Sequence, residues 1–281
     1  MLTVTMHDAR TFLDRAEAWL LRSEAEHNVV LGNALLLLEG YSAWSPPFYL
    51  ATVERGSEVL GCVMRTPPDG LLLTSVPLEA LPTVAAQLAG MYATLEEAWG
   101  PEDVVTAFAE LWAGGHGVRW SIRGRYQRYV ASGVVPVARP APGTLRTGED
   151  SDRDRVRRWG SDYAAETPTR VNVPRFFETM LERRRLYLWD DGGPRSLATL
   201  SGFTPNGVRV SGVYTPPEFR NRRYASTVTA AVMGKALEER RFCVVMADLA
   251  NPTSNGIYRK LGCRPLNEVI HVSFSEANAT A

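Results

Sequence analysis

Midway along this 281-residue chain the text becomes GVVPVARPAPGTLRTG (Gly133 to Gly148), where three prolines and three glycines break helical and strand periodicity alike. The elements on either side follow one schedule. In the first half Phe12, Leu13, Ala16, Trp19 and Leu20 recur at three and four residue steps, which predicts a helix, and a second helix runs from Glu24 to Leu38. The period then shortens: FYLATVERGSEVLGCVMRT reads as two strands around a turn at Gly56 and Ser57, and LLLTSV (Leu71 to Val76) as a third. Helical segments from Leu78 to Trp99 and from Glu102 to Trp112, then a late strand from Val118 to Ser132, complete the half. The second half opens with helices over Asp150 to Glu166 and Pro174 to Arg184, followed by strands LYLWDD, SLATLSGF and VRVSGVYT. A helix from Arg222 to Glu239, strand FCVVMADL, a helix from Thr253 to Leu261 and a closing strand from Val269 to Phe274 finish it. Matching schedules of this kind point to an ancient duplication. The expectation is an α/β (α+β) chain of two domains, 1–135 and 144–281, joined by a linker over 136–143.

Composition narrows the function classes. The 31 basic and 31 acidic side chains cancel, so no global field draws a polyanion, and nucleic acid is not expected as a partner. Cys62, Cys243 and Cys263 are too few and scattered for a disulfide framework or a zinc site, and a reduced, cytoplasmic setting is expected. His7, His27, His116 and His271 share no ligand spacing, so no metal is expected. The N-terminal residues carry charges throughout, and no window reaches the ~20 apolar residues of a membrane span, so no membrane partner is expected either.

The chemistry is concentrated in Val208 to Phe242. An apolar strand ends at Tyr214, a corner follows at Pro216 and Pro217, and the basic loop RNRRYAS (Arg220 to Ser226) opens an amphipathic helix. A tight strand-to-helix loop exposes unpaired N–H groups at the helix N-terminus, where the macrodipole also favours negative charge, so the place suits phosphate. Arg220, Arg222 and Arg223 add ionic contacts. Further on, ADLANPTSNGIYRKLGCRPL (Ala247 to Leu266) sets Asn251 in an Asn-Pro turn and Tyr258 about two helical turns inward, where both can face one cleft.

These residues resemble the GCN5-related N-acetyltransferase (GNAT) superfamily. Its loop pattern Gln/Arg-x-x-Gly-x-Gly/Ala is matched by Arg220-Asn221-Arg222-Arg223-Tyr224-Ala225, with Arg223 in place of the central glycine. Asn221 tolerates a left-handed backbone and Arg223 is expected to be helical already, which would preserve the loop. The resemblance implies two GNAT-like domains, each a mixed, mostly antiparallel sheet flanked by helices. It implies acetyl-CoA as co-substrate, the backbone of Val213, Tyr214 and Thr215 beside the pantetheine arm, and the diphosphate at Arg220 to Ser226. Asn251 and Tyr258 take the family's Asn and Tyr positions, and Ser254 stands between them.

Under that resemblance the activity is an N-acetyltransferase reaction: direct ternary-complex transfer of acetyl from acetyl-CoA to a primary amine of a small molecule or peptide, by a monomer or homodimer. Strand N–H groups near Val213 and Tyr214 would stabilise the oxyanion, and Tyr258, protonated at neutral pH, would act as general acid toward the thiolate. Tyr258 also reads as a tyrosine that plugs the core, Asn251 as a turn residue capping its helix, and Ser254 as a first-turn polar residue. Glu166, Glu178, Glu218 and Asp248 are carboxylates near the expected cleft, and none is singled out as base. The corresponding stretch of the first half, PLEALPTVAAQL, has no arginine and no such loop, so that half is expected to have lost cofactor binding. A non-catalytic acyl-CoA sensor or scaffold, and an acyltransferase of thiol-precursor biosynthesis, are the alternatives.

Overall fold

The computed structural model describes residues 1–41, 44–167 and 171–276. In chain order the elements are β1 (Leu2–Met6), α1 (Ala9–Leu20), α2 (Glu24–Leu38), β2 (Tyr49–Arg55), β3 (Glu58–Arg65), β4 (Leu71–Leu73), α3 (Leu81–Ala89), β5 (Glu97–Gly100), α4 (Glu102–His116) and β6 (Val118–Ala131). There follow β7 (Thr144–Thr147), α5 (Arg153–Glu166), α6 (Val173–Glu182), β8 (Leu186–Asp190), β9 (Pro194–Ser201), β10 (Gly207–Tyr214), α7 (Tyr224–Leu237), β11 (Phe242–Asp248), α8 (Pro252–Lys260) and β12 (Arg264–Glu276). Two compact units result: Met1–Gln127 with Asp248–Ala250 and Asn267–Ala281, and Arg128–Ala247 with Asn251–Leu266. The closing strand expected to complete the second half therefore contributes most of its length to the first unit, where Ile270 to Ser273 pair antiparallel with β5. Residues 136–143 lie inside the second unit, and the Ala141 N–H donates to Thr227 Oγ1 at 2.9 Å.

In the first unit β1, β2, β3, β4, β5 and β12 lie in that spatial order, with 118–127 of β6 beside β12. Among the described pairings of this unit, β4 and β5 run parallel, while β1–β2, β2–β3, β3–β4 and β5–β12 run antiparallel. Strand alternation sends successive side chains to opposite faces. Tyr49, Ala51, Val53, Val63, Leu71 and Leu73 pack with α3 and α4, while Leu50, Cys62, Met64 and Leu72 pack with α1 and α2. One expectation fails here. The helix expected from Leu78 to Trp99 stops at Ala89, and Glu97–Gly100 is a strand. Gly90 closes the helix, and β5, only four residues of sequence EAWG, is too short to show an alternation that would distinguish it from a helix.

The second unit orders 128–131 of β6, then β11, β10, β9, β8 and β7; β10 and β11 run parallel, while β9–β10, β8–β9 and β7–β8 run antiparallel. One face, with Trp189, Leu200, Val208, Val210 and Val245, packs on Val228 and Val232 of α7 and Tyr258 of α8. Leu186, Leu188 and Leu197 face the other way onto Val156 and Trp159 of α5 and Phe177 of α6. Regular alternation would set Tyr214 with Val208 and Val210. The register shifts between Ser211 and Tyr214, where Gly212 has φ +58°, and Tyr214 joins the α5 and α6 side instead. A Cβ at Gly212 would strike the Phe177 ring, so both the positive φ and the close approach require glycine.

Candidate functional site

The site grows from the end of β10. Its parallel ladder to β11 consists of Gly207↔Phe242, Val208↔Cys243 and Arg209↔Val244. Beyond these pairs β10 continues to Tyr214 and β11 to Asp248 without pairing, so the two strands part and β10 offers an open main-chain edge. Buried hydroxyls on β9 hold the departing strand: Thr199 Oγ1 donates to Ser211 O at 2.8 Å, and Ser196 Oγ donates to Tyr214 O at 2.8 Å. Ser196 Oγ also lies 2.8 Å from Thr215 Oγ1. In the first unit the comparable parallel pair stays closed. A Cβ on Gly100 of β5 would collide with Leu73 O of β4, so those strands remain in contact to their ends.

After Thr215 a short 3-10 turn over Pro217–Phe219 leads into the basic loop. Asn221 (φ +61°) and Arg223 (φ +67°) are both left-handed, and α7 begins at Tyr224. Arg223 was expected to be helical already, and it is not: it caps the helix in the left-handed conformation that a glycine would adopt most readily. The Thr227 N–H reaches Arg223 O at 3.0 Å and begins the helical bonding, so the N–H groups of Tyr224, Ala225 and Ser226 lack intrahelical acceptors. Ser226 Oγ and Thr227 Oγ1 donate to the same carbonyl at 2.9 and 2.8 Å and hold the turn. Left-handed turns that line up successive amides, followed by a helix N-terminus, form an anion-binding concavity.

The arginines divide their tasks. Arg222 and Arg223 are exposed. Arg220 turns toward the protein: its Nη2 donates to both Glu166 oxygens at 2.8 and 2.6 Å, and its Nε donates to Thr215 O at 2.9 Å. Tyr224 is buried, with its hydroxyl donating to Asp191 Oδ2 at 2.6 Å. Val213 is partly buried and packs on the α7 side of the sheet.

Asn251 caps α8, its Oδ1 accepting from the Ser254 N–H at 3.0 Å, so the capping role weighed from sequence is present. Tyr258 is 7% exposed, and among the described residues its hydroxyl has no hydrogen-bond partner. Burial first, with help from Tyr163, Cys263 and Tyr129, pushes its pKa well above the usual phenol value, so it stays protonated across neutral pH. Sequence reasoning missed several residues around it. Tyr129 of β6 donates to Asn255 Oδ1 at 2.7 Å, Asn255 Nδ2 donates to Asn251 O at 2.7 Å, and the Tyr129 and Tyr258 rings lie 5.9 Å apart. The Tyr163 ring of α5 meets the Tyr214 ring edge-on, with centroids 6.1 Å apart. No local signal marks these residues, because their relation to the site exists only across the folded sheet. Asp248 accepts from the Ala250 N–H, and Glu178 is bound by Arg157, so both are engaged in structure. Among the described residues no His, Cys, Asp and Glu cluster is suited to a metal.

A sheet that parts after a bulged strand, a left-handed loop and a helix N-terminus together define a class, and the comparisons give it a name. A tandem GNAT protein from the clavulanic acid biosynthesis pathway, 15% identical, superposes with a TM-score of 0.57 over 100% of both chains. A GNAT-family acetyltransferase from Colwellia psychrerythraea, 10% identical, gives 0.58 over 97% of this chain and 98% of its own. A Drosophila protein, 11% identical, gives 0.68 over 97% and 98%. No curated protein matches in sequence. The chain shares the fold of these GNAT proteins over nearly its whole length. Its residues 196–272, from β9 into β12, match the FR47-like protein family.

Proposed function

We propose that the chain is an N-acetyltransferase whose second unit binds acetyl-CoA and passes the acetyl group to a primary amine within a ternary complex. The observation that carries this reading is the early end of the β10 and β11 ladder, directly upstream of the left-handed loop and the α7 N-terminus. The open edge of β10 suits an extended amide-bearing chain such as pantetheine, which adds to it as a strand would. The amides of Tyr224 to Ser226, beside Arg222 and Arg223, suit the diphosphate.

The chemistry then follows from the groups present. Main-chain N–H groups on the free edge of β10 stabilise the oxyanion as the amine adds to the thioester. The amine nitrogen forms the new bond to the acyl carbon, the carbon–sulfur bond breaks, and the nitrogen gives its surplus proton to water. Tyr258 supplies the proton that the departing thiolate takes up. Its unbonded hydroxyl suits that role, since no protein acceptor competes for the proton. Asn251 and Ser254 stand in the first turn of the same helix, α8. The test is thiol release from acetyl-CoA in the presence of amines: the wild type turns over, and Tyr258→Phe loses about 10²-fold in kcat while retaining cofactor affinity. Equal kcat in the two proteins would remove Tyr258 from the mechanism, and cofactor binding without thiol release would favour a sensor.

A further inference from the structure

Tyr258 sits on a helix that its own sequence holds weakly. Thr253, Ser254, Asn255 and Gly256 all rank low as helix formers, and α8 has only 9 residues. A Cβ on Gly256 would meet nothing within 4 Å, so packing does not require glycine there. Side chains hold the turn instead. Asn251 Oδ1 accepts from the Ser254 N–H at 3.0 Å, and Asn251 O accepts from Asn255 twice, from its N–H at 3.2 Å and from its Nδ2 at 2.7 Å. Asn255 is 6% exposed, and its Oδ1 accepts from the Tyr129 hydroxyl at 2.7 Å. Asn255 and Tyr258 stand three positions apart, which sets them on one face of α8, and both are buried. Tyr129, enclosed on the stretch of β6 that belongs to the second unit, meets α8 twice. Its hydroxyl reaches Asn255, and its ring lies 5.9 Å from the Tyr258 ring at an interplanar angle of 58°. Among the described residues the Tyr258 hydroxyl has no partner, so no bond at its tip fixes the ring.

We propose that Tyr129 and Asn255 are positioning residues for the transfer: through the first turn of α8 and through the ring contact they hold the Tyr258 phenol in the orientation from which it meets the departing thiolate. The role of Tyr258 rests on the acyl-transfer reading above, whereas the hold on its ring rests on the hydrogen bonds and the ring contact alone. A buried polar pair bonded in this way stiffens its surroundings, while apolar contact sets no direction. Proton transfer demands direction. A general acid works only within hydrogen-bond reach of its acceptor, and a displacement of ~1 Å can cost about 10²-fold in rate. Tyr129→Phe removes the bond to Asn255 and keeps the ring, so it separates the two contacts.

The test uses the full chain with Tyr129→Phe, Asn255→Ala, the double variant, and Thr204→Val as control. Thr204 Oγ1 donates to Gly207 O at 3.2 Å in the hairpin at the opposite end of β10 from Tyr214, so its loss removes a buried hydroxyl bond away from α8. Both single variants are expected to lose about tenfold in kcat for thiol release, with the calorimetric Kd for acetyl-CoA within about twofold of the wild type. The double variant should lose no more than the larger single, because the two side chains act as one device. Thr204→Val should melt lower with kcat unchanged. Ring-flip rates of Tyr258, read by NMR on ring-labelled tyrosine and assigned by the signal missing from Tyr258→Phe, should rise about tenfold in both single variants. Flips unchanged in both, losses that multiply in the double variant, or an equal loss of kcat in Thr204→Val would overturn the proposal. Faster flips in a protein whose wild type releases no thiol would keep the hold on Tyr258 and sink the transfer reading; thiol release with flips unchanged would do the reverse.

Discussion

Arg223 occupies a conformation that its side chain disfavours. A left-handed backbone costs a β-carbon-bearing residue roughly 1–2 kcal/mol, and Asn221 two residues earlier bears a smaller share because its short side chain tolerates that region. Three donors, the Thr227 N–H and the hydroxyls of Ser226 and Thr227, converge on the Arg223 carbonyl and hold it there. Strain held by surrounding bonds at a ligand-facing loop is a common way to keep amides aligned. Arg223→Gly removes the steric cost and adds unfolded-state entropy, and a net gain of about 1 kcal/mol in urea unfolding is expected. A loss of stability would show that the guanidinium makes a contact worth more than the strain.

At the scale of elements, the site depends on how α5 is anchored, since α5 carries Tyr163 and Glu166. Arg146 of β7 binds both Asp152 oxygens at 2.6 and 2.8 Å and Asp190 at 2.9 Å. Asp152 also accepts from the Glu149 N–H at the start of the helix, and its side chain is 4% exposed. Removing the cation leaves a carboxylate buried without its partner. Arg146→Met should therefore cost about 3 kcal/mol in denaturant unfolding, well above the effect of breaking the exposed Arg125–Glu102 pair. Most of these elements were legible in the sequence. Periodicity located α2, α4, β6 and α7 because each is long and carries one repeating pattern. The loop between β10 and α7 was legible because its basic residues follow a strand end directly. Three features left no such trace. β1 is five residues long and was not expected, β5 was absorbed into a helical run, and Arg223 was assigned to the helix because nothing local reveals a positive φ at arginine. The pairings of Tyr129 with Asn255 and of Arg220 with Glu166 join residues 126 and 54 positions apart, beyond the reach of any pattern along the chain.

For the molecule as a whole, several groups tie stability to pH in the same direction. Burial of Asp152 raises its pKa, but hydrogen bonds from Arg146 and the Glu149 N–H more than offset this and hold it below the ordinary carboxylate value. The Arg146 bond lowers Asp190, and the Arg15 bond lowers Glu54. A depressed acid stabilises the fold above its unfolded pKa, and that contribution is lost as pH falls through the folded value. Desolvation lowers His7, so its protonation also favours the unfolded chain as pH drops below about 6.5. Melting temperature should hold steady from about pH 7 to 8, sag slightly below pH 6.5 and fall steeply below about pH 4. A melting temperature that rose on acidification would contradict these assignments. The two units differ in what they offer a cofactor. Among the described residues only the second combines parted strands with left-handed residues ahead of a helix; between Leu73 and Leu81 of the first, no residue has a positive φ. Calorimetric titration of the full chain with acetyl-CoA measures that difference directly: one site per chain is predicted, and either two equivalent sites or no binding would contradict the account.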